Sequence, residues 1–198
     1  SLAWHESGRE LGLSLSSARA PSDLYSVDFD KQRVTVHEIE KMGRKPVDSN
    51  ELFFENFEIP VEDRLGEEGR GFVYLMQQLA QERLVIAMRS TATLEHQLEQ
   101  TIRYTTDRKV FGNPIIGFQN SKFKLAEAKT HAHVARVFLD SCIERLLRGE
   151  LDTVTASMAK WWLTDMQCRV LDECLQLFGG YGYMREYPIA RMYADARA

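Results

Sequence analysis

Three long stretches of helical periodicity fill most of the sequence after Gly71, and this pattern constrains the fold more strongly than any other feature. Only three short segments interrupt it, and each contains glycine: 112–117, 149–152 and 179–187. We therefore predict helices at about 69–109, 118–148, 152–178 and 188–197. Short connections between long helices favour antiparallel neighbours, so these helices should form an up-down bundle.

The segment before the helices shows the alternation that is typical of strands. Val34, Val36 and Ile39 form one run, and residues 52–59 form a second run that is rich in Phe. Residues 43–50, which lie between the two runs, favour a turn. The pattern predicts a small β segment ahead of the bundle.

The fold class predicted from these patterns is mainly α, an antiparallel up-down helical bundle preceded by a small β segment. Residues 1–60 should be the end of a β domain, and residues 61–198 should be the bundle. Residues 1–24 show no clear period, and their Ser, Arg and Pro content favours a loop or a frayed terminus. Within the bundle, Trp161 and Trp162 should point to opposite sides of their helix, so that at most one is fully buried.

The composition excludes several classes of protein. The formal net charge of −4 comes from interspersed acidic and basic side chains, so we predict no nucleic-acid partner and no anionic membrane surface. No run approaches the roughly 20 apolar residues of a membrane span, so we also predict no span. The three cysteines lack disulfide or zinc spacing, which favours a reducing compartment. His131 and His133 would point to different faces of a helix, and we predict no metal site.

A charged pair accompanies the apolar face of the first predicted helix. At about 100° per residue, Arg83 falls near the middle of this face and Glu82 falls at its edge. A carboxylate held against apolar surface binds its proton more tightly, as a general base near neutral pH requires. A salt bridge between helices is the alternative, and position alone favours it because structural ion pairs outnumber catalytic ones.

Two glycine turns at predicted helix ends carry fixed hydrogen-bond donors, RKVFGNPIIGFQ at 108–119 and QLFGGYGY at 176–183. Arg108 is suited to a pyrophosphate, Phe111 to the surface of an adenine or flavin ring, and Gln119 to the edge of a ring. At the second turn, the glycines have no side chains, so that their backbone N–H groups can approach a phosphate. Ordinary helix caps are the alternative for both turns, because Arg and Gly are common at helix ends.

The order and spacing of these motifs along the sequence resemble those of the acyl-CoA dehydrogenase family. Three further motifs carry the resemblance: KMGRKPVDSNELFF at 41–54, VEDRLGEEGRGF at 61–72 and EYPIARMYADAR at 186–197. The match covers about residues 25–198 and implies the end of the family's middle β domain and most of its C-terminal helical domain. It also implies that the family's N-terminal helical domain and last segment are missing, so we expect a fragment that could be inactive alone.

The resemblance implies that FAD is bound at a dimer interface. The implied contacts with the FAD of a neighbouring subunit are Arg108, Lys109, Val110 and Phe111. Phe118 and Gln119 would line the adenosine part of the FAD. Gln176, Gly179 and Gly180 would hold the pyrophosphate.

The reaction of the family needs one carboxylate base, because a proton leaves the carbon α to the thioester while the β carbon gives a hydride to the flavin. In most members the base lies in a loop beyond the last residue of this sequence. In long-chain and isovaleryl types it lies on the first helix of the C-terminal domain, at the position of Glu82. The resemblance therefore implies that Glu82 is the base and that Ala80, Gln81 and Arg83 contact the thioester or CoA.

The implied function is flavin-dependent dehydrogenation of a medium- to long-chain or branched acyl-CoA, with electrons passed to an electron-transfer flavoprotein. The implied assembly is a homo-oligomer, a dimer of dimers. The implied location is the mitochondrial matrix in a eukaryote or the cytoplasm in a bacterium, without secretion. The alternatives are an acyl-CoA oxidase or a nitroalkane-oxidase-like flavoprotein of the same fold, and a catalytically silent helical assembly module.

Overall fold

The computed structural model describes residues 3–4, 10–15, 23–28, 35–38, 42–44, 50–54 and 58–197. The chain divides into two compact units, one of Ser1–Glu40 and Pro46–Leu79 and the other of Lys41–Lys45 and Ala80–Ala198. The first unit holds two small sheets, and the second holds most of the helical bundle.

The strands of the first unit form two small antiparallel sheets. One has the order β1 (Ala3–Trp4), β2 (Glu10–Leu15) and β3 (Asp23–Asp28). In the other, β4 (Thr35–Glu38) pairs with β5 (Asn50–Phe53). The second sheet confirms the strand prediction, although the outer residues of its runs, Val34, Ile39 and Phe57, lie outside the described residues.

The prediction of a loop over residues 1–24 is wrong where the structure describes that stretch. β2 pairs with β3 along its whole length, from Glu10 opposite Asp28 to Leu15 opposite Asp23. The sequence of β2, ELGLSL, does alternate, but its Gly and Ser have low strand propensity. The strand therefore depends on pairing with β3, which local sequence alone does not show.

Four α-helices follow, at positions that confirm the predicted ones to within a few residues. They are α1 (Gly71–Asp107), α2 (Gln119–Leu147), α3 (Thr153–Leu177) and α4 (Pro188–Asp195). A hairpin of two short strands, β6 (Lys109–Val110) and β7 (Asn113–Pro114), connects α1 to α2. None of these described helices is long and apolar enough to cross a lipid bilayer.

The start of α3 shows why a helix begins there. Asp152 is the N-cap residue, and its carboxylate accepts a hydrogen bond of 2.8 Å from the backbone N–H of Thr155. This bond satisfies one of the N–H groups that a helix start leaves without an intrahelical partner. The preceding turn contains Gly149 at φ 73°, a conformation that glycine adopts without steric cost.

Side chains of α1, α2 and α3 form two buried clusters in the second unit. The first includes Leu94, Leu98, Leu125, Val170 and Phe178, and the second includes Leu84, Ala87, Ala135, Leu139 and Leu163. Each fully buried leucine contributes about 1.5–3 kcal/mol through the area that it removes from water. Trp162 is half-buried and packs against both clusters, whereas Trp161 is 66% exposed, which agrees with the expectation that at most one of the pair is fully buried.

Candidate functional site

A cleft of about 510 Å³ lies in the second unit, where the end of α1, the β6–β7 hairpin, the start of α2 and the segment after α3 meet. Six of the nine predicted cofactor residues line it: Arg108, Val110, Phe118, Gln176, Gly179 and Gly180. The fold thus brings the two glycine turns of the sequence to one place.

Stacked aromatic rings form one wall of the cleft. The ring of Tyr104 lies 3.9 Å from that of Phe178, centroid to centroid, and nearly parallel to it. Tyr181 stacks on Tyr187 at 4.8 Å, and the guanidinium of Arg108 lies 5.0 Å from the centre of the Tyr181 ring. Burial raises the pKa of the Tyr104 hydroxyl, and the positive charge of Arg108 opposes that effect. The guanidinium of Arg108 therefore lies beside a flat aromatic surface.

The start of α2 supplies hydrogen-bond donors to the same cleft. Its N-cap residue is Phe118, which has no side-chain oxygen to cap the helix. The N–H groups of the first turn therefore lack the partner that Ser or Asp would provide, and the helix dipole adds positive potential. Phe118 and Ser121 both line the cleft, so this helix end faces it. A helix N-terminus beside an arginine is suited to phosphate groups.

The glycines after α3 leave the backbone accessible. A Cβ atom at Gly179 or Gly180 would meet no atom within 4 Å, so a ligand has room to approach the main chain there. Gly182 has a different role, because a Cβ at that position would lie 2.6 Å from the carbonyl oxygen of Leu175. Together with Arg108 and the uncapped helix, this open backbone fits a pyrophosphate, and the aromatic wall fits a planar ring.

Three predicted cofactor residues do not line the cleft in their own chain: Lys109, Phe111 and Gln119. Phe111 and Gly112 are the two turn residues of the β6–β7 hairpin, with φ values of 52° and 81°. Positive φ at both positions is the geometry of a type I′ turn, which a phenylalanine rarely adopts. The side chain of Phe111 is 92% exposed. Its contact with a neighbouring subunit stays a prediction.

The predicted base lies on α1, far from this cleft. Glu82 and Gln81 are exposed, and Ala80 is half-buried. Arg83 donates a hydrogen bond of 3.0 Å from its guanidinium to the hydroxyl of Ser157 on α3. Within the described part of the chain neither Glu82 nor Arg83 forms a salt bridge, so the structural ion pair considered above is not formed there. Glu82 is therefore accessible in this structure.

The length of α1 separates the two predicted sites. Glu82 and Arg108 are 26 positions apart in a continuous helical stretch, which corresponds to about 39 Å at 1.5 Å per residue. That is longer than one dinucleotide cofactor. A cofactor whose phosphates lie at Arg108 cannot also reach the predicted base of the same chain.

Seven residues that line the cleft were not among the predicted cofactor residues: Tyr104, Ile115, Ser121, Leu177, Phe178, Tyr181 and Met184. Tyr104 lies four residues before Arg108, and such pairs share one face of a helix, so this signal was available. Ser121 lies in the first turn of α2, and only the structure shows that this turn faces the cleft. The stacking across the cleft depends on tertiary packing.

Comparison with known proteins shows the family of the chain. The sequence profile of the family "Acyl-CoA dehydrogenase, C-terminal domain" matches residues 69–198. A mouse relative, the mitochondrial long-chain specific acyl-CoA dehydrogenase, is 49% identical over 159 residues, which cover 80% of this chain and 37% of the relative. The short-chain specific acyl-CoA dehydrogenase of Megasphaera elsdenii is 37% identical over 158 residues, which cover 80% of this chain and 41% of the relative.

A solved structure shows the same fold. The crystal structure of an acyl-CoA dehydrogenase from Geobacillus kaustophilus superposes with a TM-score of 0.86 at 42% identity, covering 89% of this chain and 47% of that one. The chain belongs to the acyl-CoA dehydrogenase family. It spans less than half the length of the relatives described above.

Proposed function

We propose that this chain carries the catalytic base and the cofactor-phosphate site of a flavin-dependent acyl-CoA dehydrogenase. The observation that carries the proposal is the cleft, which brings Arg108 and the open backbone of Gly179 and Gly180 together at the uncapped start of α2. FAD bound there would supply the acceptor for the hydride that leaves the β carbon of the substrate. The chain itself would bind and orient the substrate and would remove a proton from it.

Each part of the cleft has a distinct proposed role. The guanidinium of Arg108 and the first-turn N–H groups of α2 would neutralise the charge of the pyrophosphate. Gln176, exposed at the end of α3, would fix the position of the phosphates with its amide. The stacked rings of Tyr104 and Phe178 would give the nucleotide end of the cofactor a flat apolar support.

The substrate side of the site lies at Glu82. We propose that its carboxylate removes the proton from the carbon α to the thioester of an acyl-CoA. Ala80, Gln81 and Arg83 belong to the same turn of α1 and would contact the thioester or CoA. The hydrogen bond from Arg83 to Ser157 holds the arginine toward α3, which leaves Glu82 without a competing ion pair from this neighbour.

The working assembly is proposed to be at least a dimer. Glu82 and the phosphate cleft of one chain are about 39 Å apart along α1, so they would serve two different cofactors. Phe111, exposed on its hairpin, would cover the cofactor of the neighbouring subunit together with Lys109, and Gln119 would approach the adenosine end. A dimer of dimers is the proposed complete assembly, with an electron-transfer flavoprotein as the electron acceptor.

The substrate class is proposed to be a long-chain or branched acyl-CoA. The sequence identity of this chain to the mouse long-chain relative is 49%, whereas its identity to the short-chain relative of Megasphaera elsdenii is 37%. The mouse relative is described as mitochondrial, so we propose the mitochondrial matrix for a eukaryotic source and the cytoplasm for a bacterial one.

The test combines flavin absorbance with a substitution of the base. The purified chain is incubated with FAD, freed of excess FAD and mixed anaerobically with a long-chain acyl-CoA. We expect retained flavin whose absorbance bleaches with the substrate, and Glu82→Gln should retain flavin without bleaching. The matched control is Glu99→Gln on the same helix, because its exposed ion pair with Arg103 contributes little to stability.

Each outcome of this test has a defined meaning. A chain that retains no flavin refutes the proposed cofactor site in this chain. Bleaching that persists in Glu82→Gln refutes Glu82 as the base. Rapid reoxidation of the bleached flavin by air favours an oxidase of the same fold over a dehydrogenase.

A further inference from the structure

A second cleft in the helical unit has no role in the function proposed above. It has a volume of about 640 Å³ and lies between α1 and α3, where the turn at residues 42–44 and the end of α4 meet them. Four of its lining residues are basic: Arg44, Arg89, Lys160 and Arg197. Asp165 is the one acidic residue among the described residues that line it.

The positive charges of this basic cleft are poorly neutralised. The carboxylate of Asp165 pairs with Arg169, which lies outside the cleft, at 3.0 Å. Across the described residues, neither Arg89 nor Lys160 makes a salt bridge or a side-chain hydrogen bond. Burial lowers the pKa of Arg89, and the positive charge of Arg44 lowers it further. Arg44 and Arg89 are therefore two like charges in one cleft, and the Asp165 carboxylate that lines it is paired with Arg169.

Arg44 is held in this position by specific contacts with the end of α4. Its backbone N–H donates to the carboxylate of Asp195 at 2.6 Å, and its Nε donates to the Asp195 carbonyl oxygen at 3.1 Å. Its φ of 48° is unusual for a residue with a Cβ atom. Gly43 lies so close to α4 that a Cβ there would be 2.5 Å from the carbonyl oxygen of Ala194. The turn therefore cannot easily move the guanidinium away from Arg89.

An aromatic surface borders the same charges. The indole of Trp161 lines the cleft, is 66% exposed and lies next to Lys160 on α3. A bound molecule could therefore contact basic groups at one end and a flat apolar ring at the other. Such a combination is suited to a small molecule with one anionic group and a planar or apolar body.

We propose that this basic cleft binds a small molecule through one carboxylate or phosphate group, placed between Arg44, Arg89 and Lys160, with the body of the molecule against Trp161. The binding compensates the repulsion between the two arginines, because an anion between them is attracted to both. The source of the anion is either a phosphorylated compound or the free carboxylate of a dicarboxylic compound. The proposal does not depend on flavin or acyl-CoA chemistry.

The test uses the tryptophan fluorescence of the chain, to which Trp4, Trp161 and Trp162 contribute, with three probes. The probes are inorganic phosphate, AMP and adipate, each added at constant ionic strength against sodium chloride. We expect a saturable fluorescence change for at least one probe. Arg89→Gln should weaken its affinity by about tenfold, since a hydrogen bond to a charged group is lost. Lys160→Gln should weaken it similarly, whereas Lys129→Gln, an exposed lysine on α2, should leave it unchanged.

The outcomes distinguish a phosphorylated ligand from a carboxylate ligand, and they show whether the basic cleft binds an anion at all. A preference for phosphate or AMP identifies a phosphoryl ligand, and a preference for adipate identifies a carboxylate. Trp161→Phe should abolish the fluorescence change while the probe still raises the melting temperature. The proposal is overturned if no probe gives a saturable change at constant ionic strength, or if Arg89→Gln binds as tightly as the parent chain. Arg89→Gln removes a repulsive charge, so loss of folding should not obscure the result.

Discussion

Replacing Phe111 by glycine should stabilise the chain while weakening its hold on flavin. Phe111 has φ 52° in the hairpin turn, and its side chain is 92% exposed, so the substitution removes backbone strain and almost no packing. Relief of the left-handed conformation is worth about 1–2 kcal/mol. The greater freedom of glycine in the unfolded chain offsets about 0.5–1 kcal/mol of this. We therefore expect a net gain of about 0–1.5 kcal/mol in the free energy of unfolding, with a midpoint of about 0.75 kcal/mol.

The assay is urea unfolding followed by far-UV circular dichroism, with flavin retention measured on the same preparations. Gly112→Ala is the matched control, because φ is 81° there and an added Cβ meets no atom within 4 Å. It should lose about 1 kcal/mol through backbone strain alone. A loss of stability in Phe111→Gly would refute the argument from strain. Unchanged flavin retention in the stabilised variant would refute the proposed contact with the neighbouring cofactor.

Two further predictions concern titration and thiol chemistry. Hydrogen bonds from the hydroxyl and backbone N–H of Thr155 lower the pKa of Asp152 below its ordinary value of 3.8. The stabilisation by these hydrogen bonds is therefore complete above pH 3.8 and is lost as the pH falls through the folded-state pKa of Asp152. Between pH 5 and pH 2, the free energy of unfolding should fall more for the parent chain than for Asp152→Asn. Equal losses in the two chains would contradict this. Burial raises the pKa of the Cys142 and Cys174 thiols. An aromatic disulfide reagent at pH 8 should therefore modify the half-buried Cys168 first, and Cys142 and Cys174 only when urea is added. Equal rates of modification for the three cysteines would contradict this.

The helical half of the fold was predictable because its signals are local. Asp152 caps α3, and its position directly before a stretch of apolar residues with helical spacing indicates this role. The glycine at 179 follows the last residues of α3 and has positive φ, as expected of a residue after a helix end. The different exposure of Trp161 and Trp162 follows from helical phase alone. Each of these features depends on residues within a few positions.

Features that depend on distant residues were harder to predict. The strand at Glu10–Leu15 forms through pairing with β3, and its own sequence indicates only a weak strand preference. The stack of Tyr104 on Phe178 joins residues 74 positions apart. The basic cleft needs the contact between Arg44 and Asp195, which are 151 positions apart. No local period or motif contains such information.

The continuous course of α1 makes its length a constraint on the protein. An insertion of one residue between Glu82 and Arg108 would turn one of them by about 100° relative to the other and move it by about 1.5 Å along the axis. Seven inserted residues would restore the phase to within about 20° but lengthen the separation by about 10.5 Å. Insertions and deletions should therefore be tolerated in the turn before the N-cap of α3, at residues 148–151, and not within this part of α1.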